Sequence, residues 1–286
     1  MDKIFLVDKD INWTSNDVVI KSKGKLHTKR VGHCGTLDPF ATGLLILCSN
    51  KATKIVRYLE EENKTYTAKL KLGEKSLTAD TEGEIIERKE VPLLNNTYII
   101  GILNKLIGKT TQIPPMYSAV KKDGLKLYEY ARMNIEVERV GREIEIFDLK
   151  LLNYDNETKC LDFEVTCSKG TYVRTLGESI AEALGTVGYL IELRRTKVGL
   201  FDVKDAIKVD DISYDKGLSI LEGLRSFEKV VVNDSLALDV KNGKKIVLKN
   251  VKNEKVCIVD KNENVLALYE LDGFEIYKCM RGLWGI

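Results

Sequence analysis

The residues whose types and spacing could do chemistry are concentrated in one run, Gly32-His33-Cys34-Gly35-Thr36-Leu37-Asp38-Pro39-Phe40-Ala41-Thr42-Gly43. Asp38 stands in a stretch stiffened by Pro39 and hinged by three glycines. Taken alone, an Asp before Pro is a turn former, so the run has to be tested against specific chemistries. A phosphatase working through an aspartyl-phosphate needs a second acid two positions on, and that position is Phe40. A phosphate-binding P-loop closes its glycines with Lys-Ser or Lys-Thr, whereas Gly43 is followed by Leu44-Leu45. A Cys–His nucleophile pair needs the two side chains to meet, and adjacent His33 and Cys34 normally point apart. None of the three fits, which leaves a carboxylate held on a rigid loop.

A cationic stretch precedes that loop. Val18 to Leu37 contains no acid but carries Lys21, Lys23, Lys25, Lys29 and Arg30. Such a density of cations suits phosphate and counterion release, and equally a solvated helix end. Over the 286 residues the net charge is only +2, so bulk charge neither demands nor excludes a nucleic-acid partner. With 44% hydrophobic residues the chain can build one large core or two domains. Cysteines 34, 48, 160, 167, 257 and 279 form no CxxC pair, and the two histidines are His27 and His33. This pattern argues against a structural zinc site. No leader and no apolar run of membrane length is read, and the thiols are expected to be reduced in a cytoplasmic protein.

The elements that must position these residues follow from periodicity. Ile4 to Val7 reads as a strand, and Thr14 or Ser15 as the N-cap of a helix. Residues 31–43 read as a loop entering a buried strand at Leu44–Cys48. Ala52, Ile55, Val56 and Leu59 recur at helical spacing. From Lys64 the period is two, with Tyr66, Ala68, Leu70 and Leu72 on one face. A helix is expected over 95–107, a Pro-containing loop at Gln112–Tyr117, and a short helix carrying Tyr128, Tyr130 and Arg132. Strands follow at 142–153 and 160–168, a helix at Val173–Leu184 and a strand at 187–200. After about residue 229 only short strands punctuated by Asn242-Gly243 and Asp272-Gly273 are read. Strands and helices do not alternate regularly, which predicts an α+β fold.

Gly32 to Gly43 closely resembles the signature loop of bacterial TruB-type tRNA pseudouridine synthases, with that family's aspartate at Asp38. Four more segments match in the family's order: Lys64-Thr65-Tyr66, Gln112 to Lys121, Lys169-Gly170-Thr171-Tyr172-Val173-Arg174-Thr175, and Leu193-Arg194-Arg195-Thr196. The likeness spans roughly residues 4 to 203. It departs at Leu77, where the family usually has an acid, and at Asn134, where it often has Gly. The C-terminal region is more weakly similar to a PUA-type RNA-binding domain.

The resemblance implies a mixed, largely antiparallel central sheet flanked by helices and loops, with a small β-barrel-like domain after it. Residues 1–228 would be catalytic, with an RNA-gripping insertion at about 110–140, and residues 229–286 PUA-like. The implied reaction isomerises uridine 55 in the T loop of tRNA, using no cofactor and no metal. No pairing element is read in the sequence, so a monomer that needs no protein partner is expected. Asp38 would attack the sugar or stabilise a glycal intermediate, with Arg174 as a bidentate partner that lowers its pKa. Tyr66 would stack on the flipped uracil and could relay a proton. Tyr172 and Leu193 would wall the pocket, and His33 would fill the vacated stack. Lys64, Asp80, Lys29 and Arg30 would contact RNA. A guide-dependent enzyme of the dyskerin type and a tRNA-folding chaperone without chemistry are the competing readings.

Overall fold

The computed structural model describes residues 1–284. Strand β1 (Ile4–Lys9) is followed by helix α1 (Ser15–Lys25). Thr14 is the N-cap: its hydroxyl accepts from the Asp17 amide, and the Asp17 carboxylate accepts from the Thr14 amide. This reciprocal box satisfies two otherwise orphaned donors. Part of the stretch read as loop is β2 (Val31–Cys34), which pairs antiparallel with β3 (Thr42–Ser49). The glycines and His33 hid a strand whose stability comes from this pairing rather than from propensity.

A 3₁₀ turn (Asn50–Ile55) leads into α2 (Val56–Glu60), where one helix was expected. Then come β4 (Lys64–Leu72), the hairpin β5 (Glu74–Ser76) and β6 (Ile85–Arg88), α3 (Asn96–Lys105) and β7 (Gly108–Gln112). The segment after β7 carries β8 (Lys121–Lys122), β9 (Leu125–Lys126) and α4 (Leu127–Arg132). The chain returns through β10 (Arg142–Asp155), β11 (Cys160–Cys167), α5 (Val173–Ala183), β12 (Gly188–Val198) and β13 (Phe201–Asp202).

The main sheet runs β1-β3-β12-β4-β11-β10-β7, with β2 paired to β3 and β13 to β12. Its pairings are antiparallel except β3 with β12. That parallel seam is short, with only Arg194 opposite Thr42 and Arg195 opposite Gly43. Strand β4 alternates buried and half-buried along its length, as its period of two requires. α5 lays Val173, Leu176, Ile180 and Ala181 against the sheet within the main core.

After α6 (Ile220–Gly223), a second sheet is ordered β14-β16-β17-β18-β15. It comprises β14 (Glu228–Val231), β15 (Ile246–Val247), β16 (Lys255–Val259), β17 (Val265–Leu271) and β18 (Ile276–Gly282), with α7 (Asp234–Lys241) inserted after β14. The tail is therefore not strands alone. Asn233 caps α7, accepting from the Leu236 amide at 2.9 Å. A single hydrophobic cluster joins Ile4, Leu44 and Ile46 of the first sheet to Cys257, Val259 and Leu268 of the second. No helix among the described residues is long and apolar enough to cross a membrane.

Candidate active site

The loop between β2 and β3 is fixed from three sides. Ser15 of α1 accepts from the Leu37 amide at 2.8 Å and donates to the Leu37 carbonyl at 3.2 Å. The Ala41 amide donates to the Asp38 carbonyl, so Asp38 opens a turn with Pro39 second, where proline's fixed φ fits. Below it, Lys9 is 1% exposed. Its ammonium donates to the carbonyls of Asp10, Trp13 and Pro39. Burial pulls the Lys9 pKa down to about 8.

Asp38 meets Arg174 at the first turn of α5. Nε lies 2.9 Å from Asp38 Oδ2, an ion pair off the hydrogen-bonding line. The expected bidentate fork is instead spread over several partners. Nη1 is 3.2 Å from Asp80 Oδ2 and donates to the Thr78 carbonyl at 2.9 Å, and Nη2 donates to the Tyr117 carbonyl at 2.8 Å. The guanidinium thus ties together the Asp38 loop, the turn after β5 and the segment after β7.

A third of the Asp38 side chain (34%) opens to the cleft. The surrounding protein nevertheless excludes enough water that desolvation dominates, and the carboxyl pKa is raised above the ordinary value. Arg174 opposes that rise without reversing it, and the nearby Asp80 charge adds to it. The lowering expected from Arg174 is therefore outweighed by burial.

Asp38, Arg174, Leu37 and Ser118 border two adjoining cavities of about 550 and 690 Å³. The inner one is walled by Lys64, Tyr66, Tyr172, Leu193 and Arg195, and the outer by His33, Asp80, Glu82, Tyr128 and Arg132. Tyr66 is nearly buried at 9% exposure, and desolvation raises its hydroxyl pKa. Tyr172 is held by Gln112: its amide donates to Oε1 at 2.7 Å and its carbonyl accepts from Nε2 at 3.1 Å. Leu193 packs in the main core, opposite Ala68 on β4. His33 carries a buried Nδ1 without a partner, and burial lowers its pKa, favouring the neutral ring.

Four residues expected to contact RNA are placed differently from one another. Asp80 is 1% exposed and paired with Arg174 at the wall of the outer cavity. The Lys64 ammonium is held by the carbonyls of Glu60 and Glu62 at the end of α2, and burial lowers its pKa to about 8. Lys29 and Arg30 are exposed at the start of β2 and line neither cavity. Arg30 Nε donates to the Thr53 hydroxyl at 2.9 Å. Within the same basic segment, Lys21 and Lys25 are both engaged by Asp210. Sequence reasoning did not single out Ser118, whose buried hydroxyl has no partner and borders both cavities. Its one signal was its place in the Gln112–Lys121 run.

A partly open carboxylate held beside a buried guanidinium, at the border of two cavities, can act on a polar substrate that enters either one. The fold is shared with solved structures of low sequence identity. A solved Cbf5-Nop10-Gar1 complex superposes with a TM-score of 0.75 over 99% of this chain and 85% of that one, at 23% identity. An H/ACA RNP bound to a substrate RNA containing 2′-deoxyuridine gives 0.71 over 95% and 78%, at 22% identity.

Sequence comparison is more specific. The TruB family pseudouridylate synthase N-terminal domain matches residues 23–173, and the tRNA pseudouridylate synthase B C-terminal domain matches 174–218. The tRNA pseudouridine synthase B of Mycoplasma capricolum is 42% identical over 284 residues, covering 98% of this chain and 96% of that protein. The protein of that name from Oceanobacillus iheyensis is 42% identical over 268 residues, covering 90% and 88%. The chain belongs to the TruB family of pseudouridylate synthases.

Proposed function

We propose that this protein isomerises uridine to pseudouridine at position 55 in the T loop of tRNA. The observation that carries the reading is the Asp38–Arg174 pair at the wall between the two cavities, with Tyr66 lining the inner one. The reaction breaks the N1–C1′ bond of uridine, turns the uracil and rejoins it through C5, with the C5 proton lost to water and N1 protonated in the product. It requires a carboxylate at the sugar, an enclosed place for the free base and a way to move a proton.

The target nucleotide leaves its stack at a cost of a few kcal/mol. Its base enters the inner cavity, where Tyr66 stacks on it, worth about 1–3 kcal/mol, and Tyr172 and Leu193 close the sides. Asp38 faces the sugar, and Arg174 fixes its orientation. His33 fills the space left in the RNA stack from the outer cavity. The segment at about 110–140 closes over the RNA loop, Lys29 and Arg30 meet its backbone, and residues 229–286 form a PUA-like RNA-binding unit beside the catalytic residues 1–228. The protein acts as a cytoplasmic monomer without an obligate protein partner.

The experiment is tritium release from unmodified tRNA carrying 5-tritiated uridine. One tritium released per tRNA supports a site-selective isomerase. Tight tRNA binding without release would favour a chaperone.

A further inference from the structure

We propose that Arg195 is a positioning residue for the isomerisation, clamping both sides of the Asp38 loop and fixing Tyr66 beside the inner cavity. The inference rests on the isomerase reading above. Arg195 is 1% exposed and among the largest fully buried side chains. Its neighbour Arg194 pairs with Asp8, whereas Arg195 has no carboxylate partner among the described residues. A buried guanidinium without a counterion is costly to fold around, and a methionine would fill the same volume without that cost. Its hydrogen bonds show what the charge does there.

Nε donates to the Leu44 carbonyl at 2.7 Å and Nη2 to the Gly35 carbonyl at 3.1 Å. Gly35 opens the loop that carries Asp38 and Leu44 lies in β3 just beyond its other end, so one planar group ties the two sides of that loop together at its base. The backbone agrees. β12 touches β3 in parallel only around Arg195 and Gly43, and a Cβ on Gly43 would lie 2.3 Å from the Arg195 carbonyl oxygen. That glycine, at φ +102°, permits the approach that brings the guanidinium under the loop.

The other neighbour is Tyr66. Arg195 and Tyr66 are direct cross-strand partners on β12 and β4, which places their side chains on one face with Cβ atoms about 4.5–5.5 Å apart. Both line the inner cavity. The guanidinium charge opposes the rise in the Tyr66 hydroxyl pKa that burial imposes. Arg195 therefore links the carboxylate loop to the stacking ring.

The test compares wild type, Arg195→Lys and Arg195→Met in single-turnover tritium release at saturating tRNA, with tRNA affinity and thermal unfolding measured alongside. Misplacement of a reacting group by about 1 Å costs on the order of 100-fold in rate, so Arg195→Met is expected to lose about that factor with unchanged tRNA affinity. Arg195→Lys, which keeps the charge and can reach one carbonyl, should recover part of the rate. Should Arg195→Met fail to fold, Arg195→Lys is compared with wild type on its own, with the single-turnover rate expressed per folded enzyme and expected to fall. A loss of rate that only tracks the folded fraction would overturn the proposal. So would a loss seen only in tRNA affinity. Absence of release by the wild type would instead sink the isomerase reading itself.

Discussion

Tyr117 and Arg174 are joined through a backbone oxygen: Arg174 Nη2 donates to the Tyr117 carbonyl at 2.8 Å. The same guanidinium pairs with Asp38 and Asp80 and donates to the Thr78 carbonyl. The segment thought to grip RNA is therefore physically connected to the carboxylate thought to do the chemistry. Seating that segment completes the donor set of Arg174, and Arg174 in turn orients Asp38.

Arg174→Lys keeps the charge but not the spread of donors, because one ammonium cannot span two carboxylates and two carbonyls in those directions. We expect the single-turnover rate to fall by about 10²–10³, the range seen when one preorganised electrostatic donor is lost. Cleavage by protease in residues 113–120 should also become faster, since the Tyr117 carbonyl loses its anchor. A near-normal rate, measured by tritium release, would remove the assigned role.

Asp38→Asn should abolish tritium release while changing tRNA affinity by no more than about threefold, under 1 kcal/mol. It should also stabilise the fold. Because the folded pKa of Asp38 is raised, the wild type binds its proton more tightly folded than unfolded. Stability is then lost as pH climbs from about 3.9, the unfolded value, through the raised folded value, and stays lost above it. Thermal unfolding of the variant should show a gain that grows across that window and then levels off. A variant less stable at neutral pH would mean that the Asp38–Arg174 pair outweighs the burial.

Much of this cleft was legible because its side chains come from compact runs. The period of two on β4 put Tyr66 on the inward face, and on β12 the same alternation sets Arg195 on the side of Leu193, two residues before it. Arg195 was open to the same inference, since alternation sends Arg194 toward Asp8 and Arg195 inward. The spread of Arg174 over carbonyls was not legible, because Thr78 and Tyr117 contribute backbone oxygens that every residue has. Burial of Asp38 was equally hidden, and it reversed the expected direction of its pKa. α7 was missed although Asn233 and the spacing of Leu236, Ala237 and Val240 give a helix start. The short valine-rich runs around it suggested strands.

Lys9 carries a prediction on the alkaline side. All three of its ammonium protons have carbonyl acceptors, one of them on Pro39 beside Asp38. Its pKa of about 8 means that a proton is lost as pH passes that value, loosening the grip on the loop. The wild-type rate should therefore decline above about 8. Lys9→Met should be slower throughout and lack that limb. Since the unfolded lysine keeps its proton to about 10.4, wild-type stability should rise between those two values relative to the variant. A limb that persists unchanged in Lys9→Met would assign it to another group, with Lys64 at about 8 the first to test.

Deleting the tail is a poor test of its RNA binding, because Cys257, Val259 and Leu268 share a core with Ile4, Leu44 and Ile46. Truncation after residue 228 would expose that core and destabilise the catalytic body. Surface charge offers a cleaner route. Lys54 on the 3₁₀ turn sits in the field of Arg281 on β18, with Lys51 and Arg30 adding to it, and desolvation and these like charges lower its pKa. Arg57 crosses the same junction, donating to the Met280 carbonyl at 3.2 Å. Cations gathered against their own repulsion at the seam of two sheets favour a polyanion that spans both. Lys54→Ala with Arg281→Ala should weaken tRNA binding and flatten the dependence of log affinity on log salt by about one unit for every phosphate no longer neutralised. Single-turnover tritium release at saturating tRNA should stay near wild type, because neither residue lines a cavity bordered by Asp38. An unchanged salt slope would place the RNA backbone elsewhere. A slowed reaction at saturation would mean that the seam also shapes the cleft.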